Sequence, residues 1–385
     1  MRIAFICADS GIPVFGSKGA AVHVQEVLRA LLRQGAEIVL FARRIEKPPE
    51  DLQPIKLVAL DPLPSGDAVA RAEAALAANA QLEQALRAEE PFDLVYERYS
   101  LWSFAGLAYA HRQGWPAVLE VNAPLIEEQK RYRELAAEEK AEAVLRSLLA
   151  SATAVIAVSP GVKKWLTTFA PASAKRIHVV ANGVDPQRFA PRLMANRVDN
   201  ALTIGFVGSL KPWHGVENLL EAFALLQAQR PESWLLIVGD GPERERLQAL
   251  TQRRAIGNVV FTGAVAPAAV PEWLGKMDIA VAPYPQLADF YFSPLKIYEY
   301  MAAQLPVVTT RVGHLAEVVN DKVTGMLVEP EDPAALCACL LQLADNPLLR
   351  QRLGEAGRRF VEQHHSWDGV AKEILRIAFS SGSVP

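Results

Sequence analysis

A lysine and a glutamate three positions apart, Lys296 and Glu299, follow a Ser293–Pro294 step in the stretch SPLKIYEYMAAQLPVVTT. Ser293 fits an N-cap and Pro294 the first helical position, which tolerates proline because its N–H would be unpaired there. The spacing predicts a short helix with Lys296 and Glu299 on one side and Ile297, Tyr300 and Met301 elsewhere. A helix start favours an anion through its free N–H groups and its dipole, and Lys296 adds a full positive charge. Phosphate is the expected guest. One turn deeper, Glu299 can accept both hydroxyl protons of a ribose diol. The same residues also fit a capped helix carrying an exposed Lys–Glu pair worth ~0.3 kcal/mol, and the stretch by itself does not decide between the two.

A helix of this kind needs a sheet to hold it. Short apolar runs alternate with amphipathic stretches along the whole chain, the pattern of a parallel sheet covered by helices on both faces. In the first half, strands are expected at 3–7, 37–41, 56–60, 94–97, 117–121, 154–158 and 177–180, and helices at 20–33, 67–90, 102–112, 126–150 and 161–169. The polar, proline-containing segment 191–200 reads as a linker with its hinge near Met194, dividing a domain at 1–190 from one at 201–365. The pattern then restarts with strands at 202–207, 234–238, 259–262, 279–282, 307–309 and 326–328. Its first helix carries Val216, Leu219, Leu220, Phe223 and Leu226 on one apolar stripe.

With 385 residues, 51% hydrophobic and 22% charged, the chain has room for two cores. A net charge of −3 gives no basic field for nucleic acid or an acidic membrane surface. No run of about eighteen apolar residues appears, and a strand begins at Ile3 without a signal-peptide pattern. A cytoplasmic enzyme is expected, at most peripheral at the inner face of a membrane. Cys7, Cys337 and Cys339 and the scattered histidines outline neither a disulfide framework nor a metal centre, so no cofactor or metal is expected.

In open parallel sheets, ligands gather beyond the carboxyl ends of the strands, and the loops there hold the unusual residues. After the first strand, Gly16 and Gly19 flank Ser17 and Lys18 just before a helix. Glycines let the backbone approach a ligand, and the helix start supplies donors. This is neither GxGxxG nor a Walker loop, because Gly19 follows Lys18 where a hydroxyl would hold magnesium; a flexible surface loop is the other reading. In the second half, Gly208, Ser209, Lys211, His214 and Gly215 follow the first strand, and Gly239 and Gly241 follow the second. All are expected on the face of Ser293, which favours a phosphate-bearing ligand between the domains. For His214 a structural hydrogen bond is an equal alternative.

Taken in order, GSKGAAVHV, VYERYS, VSPGVKKWL, ANGVDPQRF, GFVGSLKPWHG, VGDGPER, SPLKIYEYMAAQLPVV and VTGMLVEP resemble the motif series of retaining glycosyltransferase family 4 over nearly the whole chain. The resemblance implies an α/β GT-B architecture, two Rossmann-like doubly wound parallel-sheet domains facing across a cleft. The C-terminal domain would bind a nucleotide-sugar and the N-terminal domain most of the acceptor. A final helix within 366–385 would cross back onto the first domain. The reaction implied is transfer from a nucleoside diphosphate sugar, expected to be UDP-linked, to a hydroxyl of a saccharide or lipid-linked saccharide. It proceeds with retention and without metal, in polysaccharide or glycoconjugate assembly. Donor contacts then fall on Gly16, Gly19, Gly208, Ser209, Lys211, His214, Gly239, Gly241, Tyr291, Ser293, Pro294, Leu295, Lys296 and Glu299, and acceptor-side contacts on Lys18, Glu97, Arg98 and Asn122.

The chain also departs from the family pattern. The first of the family's two glutamates, which lies near the donor sugar, is Tyr291 here, with Asp289 as a neighbouring substitute. Ser209 and His214 stand where an arginine and a lysine neutralise the diphosphate, leaving Lys211 and Lys296 to replace them, and Gln304 stands in place of a glycine. The histidine common after the fifth strand is absent. Glu120 and Asn122 at that strand end are candidates for orienting the sugar or acceptor, although Asn122 also fits a helix cap and Arg98 a local salt bridge. Trp102, Phe104 and Trp165 fit either a lipid-linked acceptor or the core. A same-fold epimerase or phosphorylase and a nucleotide-binding protein without transfer stay as alternatives; a dehydrogenase is disfavoured by the lack of a first-strand GxGxxG.

Overall fold

The computed structural model describes residues 1–189, 201–287, 290, 291 and 293–380. The expected linker at 191–200 with its hinge near Met194, and Asp289, lie outside the described residues. Two units divide the chain. The first holds Met1–Asn182, Tyr291–Ser293 and the C-terminal segment from Trp367, and the second holds Gly183–Phe290 and Pro294–Ser366.

In the first unit, β1 (Arg2–Cys7), β2 (Glu37–Ala42), β3 (Lys56–Ala59), β4 (Leu94–Arg98), β5 (Ala117–Val121), β6 (Ala154–Ala157) and β7 (Ile177–Val179) form one sheet in the order β3-β2-β1-β4-β5-β6-β7. Every pairing is parallel. Helices α1 (Gly19–Arg33), α2 (Ala68–Ala77), α3 (Asn79–Glu89), α4 (Ala105–Gln113), α5 (Leu125–Tyr132), α6 (Glu138–Ser151) and α7 (Pro160–Phe169) make the crossovers. The central strands read as apolar runs because both faces are covered; β5 is buried at every position, its glutamate included.

In the second unit, β8 (Thr203–Val207), β9 (Trp234–Val238), β10 (Val259–Phe261), β11 (Ile279–Ala282), β12 (Val307–Thr310) and β13 (Met326–Val328) form a sheet in the order β10-β9-β8-β11-β12-β13, again all parallel. Helices α8 (Val216–Gln227), α9 (Arg244–Arg253), α10 (Val270–Leu274), α11 (Leu295–Ala302), α12 (Leu315–Val318), α13 (Pro333–Asp345) and α14 (Pro347–His364) alternate with or follow the strands. The apolar stripe of α8 packs into this core through Leu219, Leu220 and Phe223. The last helix, α15 (Trp367–Ser380), returns to the first unit, where Trp367 meets His23 of α1 edge-on and Asp368 pairs with Arg33 at 2.6 Å.

Two expected long helices are broken. The stretch 67–90 divides at Asn79, whose amide donates to the Ala75, Leu76 and Trp102 carbonyls while its oxygen accepts the Phe104 and Ala105 N–H groups. Asn79 therefore caps α4 from a distance. The stretch 126–150 divides between α5 and α6 at 133–137. The unit boundary also falls earlier than position 190. Val184 N–H donates to the His365 carbonyl and Arg358 to the Phe189 carbonyl, which ties 183–189 to the second unit.

Candidate functional site

The strand order of the second unit reverses between β8 and β11, the point where sheets of this kind hold ligands. Beside it, α11 begins at Leu295, one residue later than expected, with Pro294 as N-cap in an extended conformation (φ −78°, ψ 103°). Ser293 is not the cap. Its hydroxyl accepts the Asn182 N–H at 3.0 Å and its carbonyl accepts the Asn182 amide at 2.8 Å, so Asn182 draws it into the first unit. Among the described residues no side chain caps α11, and the first N–H groups of a helix have no partner within it.

Lys296 stands in this first turn. Its stem is partly open, but its Nζ is covered and has no hydrogen-bond partner among the described residues. Ring faces surround it instead, Phe206 at 4.3 Å and Tyr284 at 5.4 Å from their centres. Burial pulls its pKa down to about 7, against the opposing charge of Glu299 one turn on. Gly208 leaves it room, since a Cβ there would come within 2.7 Å of the Lys296 Nζ at a φ of +150°. The exposed, solvated pair is therefore set aside for Lys296. A covered ammonium without a hydrogen bond is costly, and an anion would relieve it.

The neighbours of Lys296 have distinct tasks. His214 donates its Nδ1–H to the Ser209 carbonyl and packs its ring near Phe206 and Tyr284. Burial first, then the Lys296 charge, holds its pKa down at about 3, so the ring is neutral and braces the loop without neutralising a phosphate. Lys211 lies with its Nζ 5.6 Å from the Trp213 ring, and Ser209 is exposed. Gly239 and Gly241, expected against a ligand, serve another purpose. A Cβ on Gly239 would overlap the Gly208 carbonyl oxygen, and one on Gly241 the Leu210 carbonyl oxygen. Their absence of a side chain lets two loops lie backbone to backbone, joined by Gly208 N–H to the Val238 carbonyl and Leu210 N–H to the Asp240 carbonyl, both at 2.9 Å.

In the first unit, polar side chains converge on Glu120 at the end of β5. Its Oε1 accepts His23 Nε2–H at 2.6 Å, Arg98 at 3.3 Å and the Asn122 amide, and its Oε2 accepts the Tyr96 hydroxyl. Burial alone would push this carboxyl up, but the charges of His23 and Arg98 and the hydrogen bonds from His23 and Tyr96 bring it down to about 2. Asn122 is thus a partner of Glu120 and caps no helix, α5 having Pro124 at its N-cap. His23 and Tyr96 went unread in the sequence; the one signal was a histidine on the apolar stripe that α1 buries with Val27 and Leu31.

Glu97 is a correction. Fully buried, it accepts the Ser103 hydroxyl at 2.6 Å and the Leu107 N–H at 3.1 Å, so it holds the start of α4 and does not line an acceptor side. Burial raises its pKa to about 7 in spite of these bonds. Lys18 and Gly19 are exposed at the start of α1, with open space around the Gly19 Cα, while Gly16 lies in a turn whose carbonyl Gln25 binds. Tyr291 donates its hydroxyl to Glu128 of α5, and its carbonyl accepts the Ser159 hydroxyl at 2.6 Å. Trp102, Phe104 and Trp165 pack against the first unit's core. Among the described residues, no three His, Cys, Asp or Glu side chains are grouped to hold a metal, and no helix is long and apolar enough to cross a membrane.

Two Rossmann-like parallel-sheet units are the components of the GT-B class of fold. Residues 17–188 match the family described as Glycosyltransferase Family 4, and residues 201–346 match Glycosyl transferases group 1. The chain belongs to this glycosyltransferase family. It is similar to the MMP alpha-(1->4)-mannosyltransferase of Mycolicibacterium hassiacum, 30% identical over 74% of this chain and 70% of that one. It is also 30% identical, over 74% of its length, to the D-inositol 3-phosphate glycosyltransferase of Streptomyces avermitilis, of which the match spans 65%. In fold it is similar to a sucrose-phosphate synthase from Thermosynechococcus elongatus (TM-score 0.76, 22% identity, 98% of each chain). It is likewise similar to Anabaena HepE in complex with UDP (TM-score 0.71, 19% identity, 99% and 100% covered).

Proposed function

We propose that this glycosyltransferase moves a sugar from a UDP-sugar to a hydroxyl of a saccharide or glycolipid acceptor, with retention and without a metal ion. The observation that carries the reading is the covered ammonium of Lys296 in the first turn of α11, which has no hydrogen-bond partner among the described residues. As the bond between the anomeric carbon and the outer phosphate oxygen breaks, negative charge collects on that phosphate. Lys296, Lys211 and the first N–H groups of α11 stabilise it. Glu299 takes the ribose diol. The acceptor hydroxyl attacks from the side the phosphate leaves, its proton passes to the departing phosphate oxygen, and the configuration is kept. Positioning supplies much of the remaining rate. In the first unit, Asn122 and Arg98, aimed by Glu120, together with Lys18, are assigned to the acceptor. The likeness to a UDP-bound structure supports UDP as the nucleotide.

Calorimetric titration with UDP, GDP and ADP, each with and without EDTA, tests this. Selective binding of UDP that survives the chelator is expected. No binding of any diphosphate would overturn the reading, and binding lost on chelation would overturn its metal-independent form.

A further inference from the structure

We infer that His314, between β12 and α12, is a specificity residue that reads a hydroxyl of the donor's sugar, an inference that rests on the function proposed above. His314 is 8% exposed, and neither ring nitrogen has a hydrogen-bond partner among the described residues. An imidazole carries at least one donor, and its neutral form one acceptor as well. A native fold rarely buries both unmet without a use for them.

The location suits a sugar. Strand β12 lies beside β11, and β11 beside β8, so the loops that follow them emerge side by side at the carboxyl end of the sheet. Their side chains form a row that starts at the phosphate-binding lysine. The Tyr284 ring centre is 5.4 Å from Lys296 Nζ, Phe290 stands edge-on 5.2 Å from Tyr284, and His314 lies 5.7 Å from Phe290. With the outer phosphate on Lys296, the attached sugar extends along this row. Ring faces suit the C–H faces of a pyranose, and the last ring supplies the polar group that its hydroxyls need.

Gly313 closes the row, because its φ of +53° turns the loop and a Cβ there would come within 2.6 Å of the Phe290 Cβ. Burial holds His314 below the usual histidine pKa, with Glu317 pulling the other way, so the ring is neutral near pH 7 and can both donate and accept. The second unit's reader of the sugar is then His314. Phe290 packs against the imidazole.

The test is calorimetric titration of the parent and His314→Phe with UDP, UDP-glucose, UDP-galactose and UDP-N-acetylglucosamine. Phenylalanine removes both nitrogens and keeps a ring in the row, so the melting temperature is expected to hold or rise. UDP affinity should stay within about twofold of the parent, while the preference among the three sugars shrinks at least about tenfold. Equal preferences in parent and variant would overturn this inference and leave the functional reading standing, as would a parent that binds all three no better than UDP. Failure of the parent to bind UDP would overturn both. Should His314→Phe not fold, His314→Asn takes its place, with an altered order of preference expected and an unchanged order overturning the inference.

Discussion

Glu120 in the first unit and Lys296 in the second are both buried charges beside the carboxyl ends of their sheets, and their surroundings are opposite. Glu120 has hydrogen bonds on both oxygens from four side chains, and its pKa falls to about 2. Lys296 has ring faces and, among the described residues, no hydrogen bond, and its pKa falls to about 7. Both shifts are downward, yet they mean different things. For an acid a lowered pKa records stabilisation of the charge, whereas for a base it records a charge left unstabilised. The first charge is satisfied within the fold, and the second is not satisfied by any described residue.

Four experiments sharpen or break this contrast. Glu120→Ala removes a buried ion and strands Arg98, His23, Tyr96 and Asn122 together. It is expected to cost about 3–5 kcal/mol in denaturant unfolding, and a loss under about 1 kcal/mol would mean the hub is dispensable. Lys296→Met should leave unfolding stability equal or higher while weakening UDP about 30- to 100-fold; a variant that binds like the parent would place the phosphate elsewhere.

Glu97, at about 7, lies above its unfolded value of 4.5. Its contribution is therefore fully present below pH 4.5 and is lost as pH rises through 7. Glu97→Gln should then be the more stable protein at pH 8, on the order of 2 kcal/mol, with the advantage gone at pH 4; the opposite pH trend would refute the assignment. Glu120 has the reverse sign, its contribution being present above pH 4.5 and lost as pH falls toward 2.

The smallest effect concerns Lys296. With its pKa near 7 and its unfolded value at 10.5, its charged form strains the free protein below pH 7, and stability gains as pH rises from 7 toward 10.5. A diphosphate reverses this preference, so UDP affinity should fall about fivefold between pH 7 and pH 8. Proton uptake at pH 8, read from binding heats in buffers of different ionisation enthalpy, checks it. No uptake would show the ammonium to be fully charged before UDP arrives.

Much of the fold was legible because parallel strands covered on both faces must be apolar runs; β1, β5, β9, β11 and β13 fall within a residue of where periodicity places them. Breaks made by distant partners were not legible. Asn79 ends a helix because it caps another one far along the chain, and Ser293 leaves its own helix because Asn182 holds it. Local spacing contains neither partner. In the second unit, residue type and position pointed to Lys296, since a lone cation at a helix start is a local feature. The Glu120 hub was half-read, because His23 and Tyr96 reach it from α1 and β4. The glycines of the β8 and β9 loops were read as making room for a ligand, whereas Gly239 and Gly241 make room for another stretch of backbone.

The three residues Tyr291–Ser293 belong to the first unit although both flanks belong to the second. For anyone recombining this chain, the second unit is consequently not a continuous piece of gene. A hybrid made with one crossover after Asn182 would set Tyr291 and Ser293 against a foreign Glu128, Ser159 and Asn182. A graft that respects the packing needs junctions at 182/183, 290/291, 293/294 and 366/367, so the recipient scaffold keeps its own tripeptide and its own last helix.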